Sequence, residues 1–158
     1  MILRDQVALI TGSGRGIGRA IAHVFAAEGA SVFLTARTEA ELTAAVKEIT
    51  ALGGSAHYSV ADLGHDADCT RVVEQARGVF GKVDILVNNA GQYGPVVPVE
   101  HYPLSDFDRI IAVHLRAAFI LSQLVLPKMY ERNSGVILNI SSLSAKSAFP
   151  WGSAYAAA

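Results

Sequence analysis

Eight residues near the start of the chain, Thr11-Gly12-Ser13-Gly14-Arg15-Gly16-Ile17-Gly18, have the types and spacing to hold a phosphate. They follow the apolar run Val7 to Ile10 and open an amphipathic stretch, so they sit at a strand-to-helix turn. Without a Cβ, glycine lets the backbone take positive φ there and lets a diphosphate approach the first N–H groups of the helix. The positive end of the helix dipole faces the same anion. The pattern is not G-x-G-x-x-G, because Ile17 and Ile21 stand where a third glycine is needed. It is T-G-x-x-x-G-x-G. A glycine-rich octet is also what an ordinary flexible turn looks like; its place between a strand and a helix favours the phosphate reading.

The elements that must carry this turn alternate along the chain, apolar β-branched runs with longer helical patterns. That alternation predicts a parallel sheet covered by helices on both faces. Strand one is read at Val7 to Ile10 and strand two at Ser31 to Thr35, joined by a helix over Gly16 to Glu28 that ends before Gly29. A helix over Glu39 to Leu52 stops at Gly53-Gly54, and a short third strand runs from Ala56 to Val60. Asp66 to Phe80 reads as helix with Gly81 as its stop, and Val83 to Val87 as a strand buried on both faces. Gln92 to Pro103 reads as loop. From Asp106 to about Tyr130 the residues Phe107, Ile110, Ile111, Leu115, Phe119, Leu124 and Val125 recur at helical spacing, and Pro127 is expected to bend or end the last turn. Gly135 to Ile140 is the fifth strand.

Composition bounds the answer. The 158 residues are 51% hydrophobic and 17% charged, with mean hydropathy +0.34. That excludes a disordered chain and fits one folded domain over 1–158. A formal net charge of -1 offers no nucleic-acid surface. The single cysteine, Cys69, makes no internal disulfide and reads as a small buried apolar side chain, which suits a reducing, cytoplasmic setting. No secretory signal is read at Met1 to Asp5 and no apolar run of membrane-spanning length elsewhere, so no membrane partner is expected.

Three further segments turn a weak glycine signal into a specific one: Asn88-Asn89-Ala90-Gly91, the strand end Asn139-Ile140-Ser141-Ser142, and Tyr155. With the glycine turn, in this order and spacing and over the whole chain, they resemble the short-chain dehydrogenase/reductase family, and within it the 3-oxoacyl-[acyl-carrier-protein] reductase-like members. The resemblance implies an α/β fold, a Rossmann-type doubly wound parallel sheet of order 3-2-1-4-5, with a nicotinamide cofactor and a Ser-Tyr-Lys catalytic set. It implies cofactor contacts at Gly12, Ser13, Gly14, Arg15, Gly16, Ile17, Gly18, Asp62, Leu63, Asn89, Ala90, Gly91 and Tyr155. Asp62 matches the family aspartate that contacts the adenine amino group; a helix N-cap is its other reading. Asn88 is read as a tie between adjacent strands.

Charge at the end of strand two decides the form of the cofactor. An acid there would accept hydrogen bonds from a ribose 2′-hydroxyl and repel a 2′-phosphate. Here the strand ends Leu34-Thr35-Ala36-Arg37, and Arg15 lies near the same corner. Two guanidinium groups shaped to fork onto phosphate oxygens favour NADP(H) over NAD(H). Their plain alternative is solvated surface charge.

Ser142 and Tyr155 stand thirteen positions apart, the family interval, which selects Ser142 over Ser141 and Ser144. The resemblance makes Tyr155 the general acid in carbonyl reduction, with Ser142 holding the substrate oxygen. A free phenol, with a pKa of about 10, is a poor base for alcohol oxidation. In the family a lysine one helical turn after the tyrosine lowers it. That position falls one residue beyond Ala158, so the sequence is expected to be a piece of a longer protein, and residues 1–158 alone to be nearly inactive. Lys146 lies in the loop after Ser142 and does not replace it.

His114 departs from the family pattern, which has asparagine there, whose main-chain carbonyl holds a water leading to the lysine. A histidine offers the same carbonyl, so two readings stand: a relay at a catalytic position, or a buried, hydrogen-bonded histidine. The other histidines have no spacing for a metal site, and none is expected. The substrate is expected to be a small carbonyl or alcohol: a 3-oxoacyl thioester first, a sugar, polyol or steroid alcohol next. Gln92 to Pro103 and Ser144 to Trp151 are candidate walls, with Tyr93, Val96, Phe149 and Trp151 as apolar contacts. The rival class is a non-catalytic dinucleotide-binding module. The resemblance also implies a homodimer or homotetramer paired through the Asp106 to Tyr130 helix.

Overall fold

The computed structural model describes residues 1–147 and 150–158. Five parallel strands form one sheet: β1 (Val7–Thr11), β2 (Ser31–Ala36), β3 (Ser55–Val60), β4 (Ile85–Asn88) and β5 (Val136–Asn139). Their order is β3-β2-β1-β4-β5, the doubly wound order expected. The register pairs Leu9 with Phe33 on one side and Leu86 on the other, and Asn88 with Asn139. All five residues of β1 are buried, which is why it reads as an unbroken apolar run rather than an alternation.

Side chains from β1 alternate between two cores. Ala8 and Ile10 pack with Ala22 of α1 (Gly16–Ala27) and with Leu42, Ala45 and Ile49 of α2 (Glu39–Ala51). Leu9 faces the other way, with Phe33, against Cys69, Val72 and Val73 of α3 (Asp66–Phe80). That second core also takes Ala117, Leu121, Val125 and Met129 of α5 (Ala117–Glu131).

The segment before β5 departs most from expectation. It begins at Leu104 as α4 (Leu104–Ile111), passes through a π-helical turn (Ala112–Arg116) and continues as α5. Pro127 lies inside α5 and does not end it. Leu121, Val125 and Met129, buried on the sheet, carry the helix across the missing N–H. The whole runs 28 residues, Leu104–Glu131, with mean hydropathy 1.8 in its most apolar window. By length and composition it is long enough to cross a membrane, which overturns the expectation that no apolar segment reaches that length. The same apolarity serves the core through Ile110, Val113, Ala117 and Leu121. A one-turn 3-10 helix (Val99–His101) interrupts the loop expected over Gln92 to Pro103, and a short α6 (Ser153–Ala157) follows β5.

Candidate functional site

The glycine turn leaves the carboxyl end of β1 and is stitched to the turn after β4. The Thr11 hydroxyl donates to the Val87 carbonyl at 3.2 Å and accepts from the N–H groups of Asn89 and Ala90, both at 2.9 Å. Asn89 Nδ2 donates back to the carbonyls of Thr11 at 2.9 Å and Gly12 at 3.2 Å. Gly12 has φ +62°, and a Cβ on it would lie 2.8 Å from Ala90 Cα. The two turns therefore meet backbone to backbone, where the strand order reverses.

Arg15 stands in extended conformation just before α1, without a side-chain cap, and no acid occupies the first turn. Arg19 N is the first helical donor to bond back, onto the Arg15 carbonyl at 3.3 Å. Among the described residues no acid caps the leading N–H groups of α1, which face the cleft and fit a diphosphate. Ser13 and Gly18 serve the turn itself. The Ser13 hydroxyl is buried, donating to the Ile10 carbonyl at 2.8 Å and accepting from Thr35 N at 2.9 Å. Gly18 lets α1 touch the turn, since its Cβ would lie 2.5 Å from both Asn89 Nδ2 and the Gly12 carbonyl oxygen.

A cleft of about 620 Å³ opens beside this turn, lined by Gly12, Gly14, Arg15, Gly16 and Ile17, by Arg37 and Glu41, and by Asp62, Leu63 and Asn89 to Gly91. Arg15 and Arg37 are both exposed at one corner, and Arg37 Nη1 reaches Gln92 Oε1 at 3.4 Å across the opening. Asp62 also lines the cleft, just after β3, where Ala61 N donates to the Ala36 carbonyl at 3.0 Å. It is not the cap of α3, whose N-cap is His65. One of its oxygens, Oδ1, accepts from Gly64 N at 3.0 Å and forms a short ion pair with Arg109 of α4, leaving Oδ2 without a hydrogen bond among the described residues. Partial burial pushes the Asp62 carboxyl up, but the Arg109 guanidinium and the Gly64 N–H outweigh it and hold it below the usual carboxylate range.

The second cleft adjoins the first through Ile17, Leu63 and Asn89 to Tyr93, and measures about 920 Å³. Into it come Ser142 from the end of β5, Tyr155 from α6 and His114 from the π-helical turn. The sequence separates these three widely; the fold brings all three into the lining of one cleft. The Ser142 hydroxyl accepts from Ser144 N at 3.2 Å, fixing the turn that follows β5. Asn88 Nδ2 donates to Asn139 Oδ1 at 2.9 Å, the strand tie expected of it. The Tyr155 ring lies 5.4 Å from the His114 ring, edge to face, and 4.5 Å from Tyr93. His114 Nε2 stands 2.8 Å from Gln92 N and 2.9 Å from the Gln92 carbonyl oxygen, so its tautomer decides which partner it serves. The imidazole packs so closely on Gly91 that a Cβ there would meet Cε1 at 2.7 Å.

Of the apolar walls expected, Tyr93 faces both clefts. Trp151 is 62% exposed, and its carbonyl instead accepts from Val97 N at 3.1 Å. Val96 is 54% exposed. Phe149 lies outside the described residues. Burial pushes the Cys69 thiol up to about 11, which leaves it unreactive in the core. Sequence reasoning missed Glu41, Gln92 and Arg109.

A five-stranded parallel sheet with a glycine turn between β1 and α1 defines a Rossmann-type α/β protein. A family model described as short chain dehydrogenase matches residues 6–158, and the chain belongs to that family. It is 41% identical over 144 residues to the 7alpha-hydroxysteroid dehydrogenase of Escherichia coli (strain K12), covering 91% of this chain and 56% of that protein. A metagenomic short-chain oxidoreductase solved in complex with NADP superposes with TM-score 0.95 at 39% identity, over 99% of this chain and 71% of that one. A 7 alpha-hydroxysteroid dehydrogenase complexed with NADH and 7-oxo glycochenodeoxycholic acid gives 0.93 at 39% identity, over 98% and 60%. The chain spans about half the length of the curated relatives it matches, from 50% to 60% for the first of them.

Proposed function

We propose that residues 1–158 form one dinucleotide-binding domain of an NADP(H)-dependent oxidoreductase acting on a carbonyl and its secondary alcohol. The observation that carries this is the adjoining pair of clefts: free helix N–H groups and two guanidinium groups line one, and Ser142, Tyr155 and His114 line the other. When bound, the nicotinamide would supply or accept hydride. The chain's own work is to hold and to move a proton. The leading N–H groups of α1, with Gly12, Gly14, Gly16 and Ile17, hold the diphosphate. Arg15 and Arg37 hold the 2′-phosphate. Asp62 accepts from the adenine amine, and Leu63, Asn89, Ala90 and Gly91 wall the adenosine.

Ser142 donates to the carbonyl oxygen and Tyr155 gives that oxygen its phenolic proton. His114 keeps the Tyr155 ring in place edge-on and presents its backbone carbonyl to the proton path. The protein pairs through the long helix as a homodimer or homotetramer, where Leu115 and Phe119 are 55% and 68% exposed.

A 3-oxoacyl thioester is the substrate proposed. A steroid ketone is the second reading, favoured by the 41% identity to a hydroxysteroid dehydrogenase. The test is oxidation of NADPH and NADH against a 3-oxoacyl thioester, a 7-oxo steroid and a keto sugar, in a chain that continues through a lysine one turn after Tyr155. Reduction of the thioester with NADPH preferred supports the proposal. Binding of NADPH with no reduction of any carbonyl, unchanged by Tyr155→Phe, overturns it in favour of a binding module.

A further inference from the structure

We propose that Glu41 sets the choice between the two nicotinamide cofactors, its carboxylate opposing a 2′-phosphate that Arg15 and Arg37 attract. The inference rests on the reading that this cleft holds the adenosine half of NADP(H). Thr38-Glu39-Ala40-Glu41 has the pattern of a capping box, with threonine at the N-cap of α2 and glutamate at its third residue. That would make Glu41 a purely local residue. In the structure the Thr38 side chain makes no capping hydrogen bond, and among the described residues the Glu41 carboxylate takes neither a hydrogen bond nor an ion pair.

The Glu41 side chain lies instead against the glycine turn. Its Oε2 stands 2.8 Å, and its Cβ 3.0 Å, from where a Cβ on Gly14 would be. Gly14 is thus a glycine whose missing side chain makes room for a carboxylate. Half-buried, Glu41 lines the same cleft as Arg15, Arg37 and Thr38. The other acids nearby are accounted for. Glu39 Oε1 accepts from the Tyr58 hydroxyl at 3.3 Å, and Asp62 is paired with Arg109.

An unpaired carboxylate at that corner acts on the two cofactors with opposite sign. It accepts a hydrogen bond from a ribose 2′-hydroxyl, as an acid at the end of the second strand would. It repels a 2′-phosphate carrying nearly two negative charges. Two cations and one anion then leave the chain able to take either cofactor, with Glu41 holding the preference for the phosphorylated one below what the arginines alone would give.

The test isolates the adenosine end. Titration calorimetry measures 2′,5′-ADP and 5′-AMP binding to the protein, to Glu41→Gln and to Arg37→Ala. Glu41→Gln should bind 2′,5′-ADP roughly fivefold more tightly, a like-charge repulsion of the order expected in a solvated cleft. Its affinity for 5′-AMP should not rise, and the gain should shrink in about 0.5 M salt, where the Debye length falls to about 4 Å. Unchanged or weaker 2′,5′-ADP binding by Glu41→Gln, an equal gain for both nucleotides, or a gain insensitive to salt overturns the proposal. Arg37→Ala reports separately on the NADP(H) reading, which fails if that variant binds 2′,5′-ADP as the unaltered protein does.

Discussion

Replacing Gly18 by alanine tests the contact between α1 and the two turns. A methyl group there would lie 2.5 Å from both Asn89 Nδ2 and the Gly12 carbonyl oxygen, and 3.0 Å from the Gly12 carbonyl carbon. None of these is the free end of a flexible chain. Asn89 Nδ2 is bonded to the Thr11 and Gly12 carbonyls, and Gly12 is backbone pressed on Ala90. Accommodation therefore moves α1 away from the turn or breaks the Asn89 pair. Overpacking of this kind costs about 1–3 kcal/mol, and each lost hydrogen bond about 1 kcal/mol. The gain in helix propensity from glycine to alanine offsets about 1 kcal/mol. The net, about 2 kcal/mol, lowers Tm by roughly 4–8 °C in a chain of this size. Because the shift opens the phosphate cradle, NADPH affinity should fall by about tenfold. Gly16→Ala is the control for the melts alone: Gly16 has φ +56° but nothing within 4 Å of its Cβ position, so only backbone strain of about 1 kcal/mol is added. Thermal melts of the two variants and a calorimetric NADPH titration of Gly18→Ala decide the matter. If Gly18→Ala melts and binds like the unaltered protein, the close approach of α1 is not what shapes the turn.

Three further outcomes follow from the same geometry. Ser13→Ala removes the hydroxyl that bonds both the Ile10 carbonyl and the Thr35 N–H, so it should lower stability by about 1 kcal/mol in a denaturant titration and leave the 2′,5′-ADP to 5′-AMP affinity ratio unchanged. Arg109→Met should alter the acid limb of stability. Asp62 sits below its ordinary pKa when folded, so its contribution is present above about pH 3.9 and is lost as pH falls through the lowered folded value. Melts from pH 3 to 7 should therefore show a shallower acid decline in Arg109→Met than in the unaltered protein. Tyr155→Phe, in a chain carrying the lysine one turn on, should hold NADPH affinity within about threefold while carbonyl reduction falls by 10²-fold or more, the scale of a general acid.

Strand placement and order were legible because β1, β2 and β4 are buried on both faces and so appear as unbroken apolar runs. The helix starts were legible where an apolar periodicity began after a polar break. Leu104 gave no such sign, since it is 78% exposed and follows Pro103, and α4 therefore starts earlier than its periodicity. Pro127 does not end α5, because the burial of Leu121, Val125 and Met129 that outweighs its local penalty is tertiary and leaves no mark in the sequence. Ser13 shows the same limit at the site. No local pattern announces that its hydroxyl accepts from Thr35 N, 22 residues on. Asp62 and Arg109 are 47 residues apart, and no local pattern announces their ion pair. Thr38 and Glu41 have capping-box spacing, and only the position of the Glu41 carboxylate against Gly14 shows that it does not cap.

An NMR titration of the chain with NADP⁺, following assigned backbone amides from Gly12 to Gly18 together with those of Ser142 and Tyr155, addresses the convergence of the two clefts most directly. Both groups of resonances should shift along the same binding curve, with one Kd, because a single dinucleotide reaches from the glycine turn to the Tyr155 ring. Shifts confined to the glycine turn, with Ser142 and Tyr155 unmoved at saturation, would contradict the account.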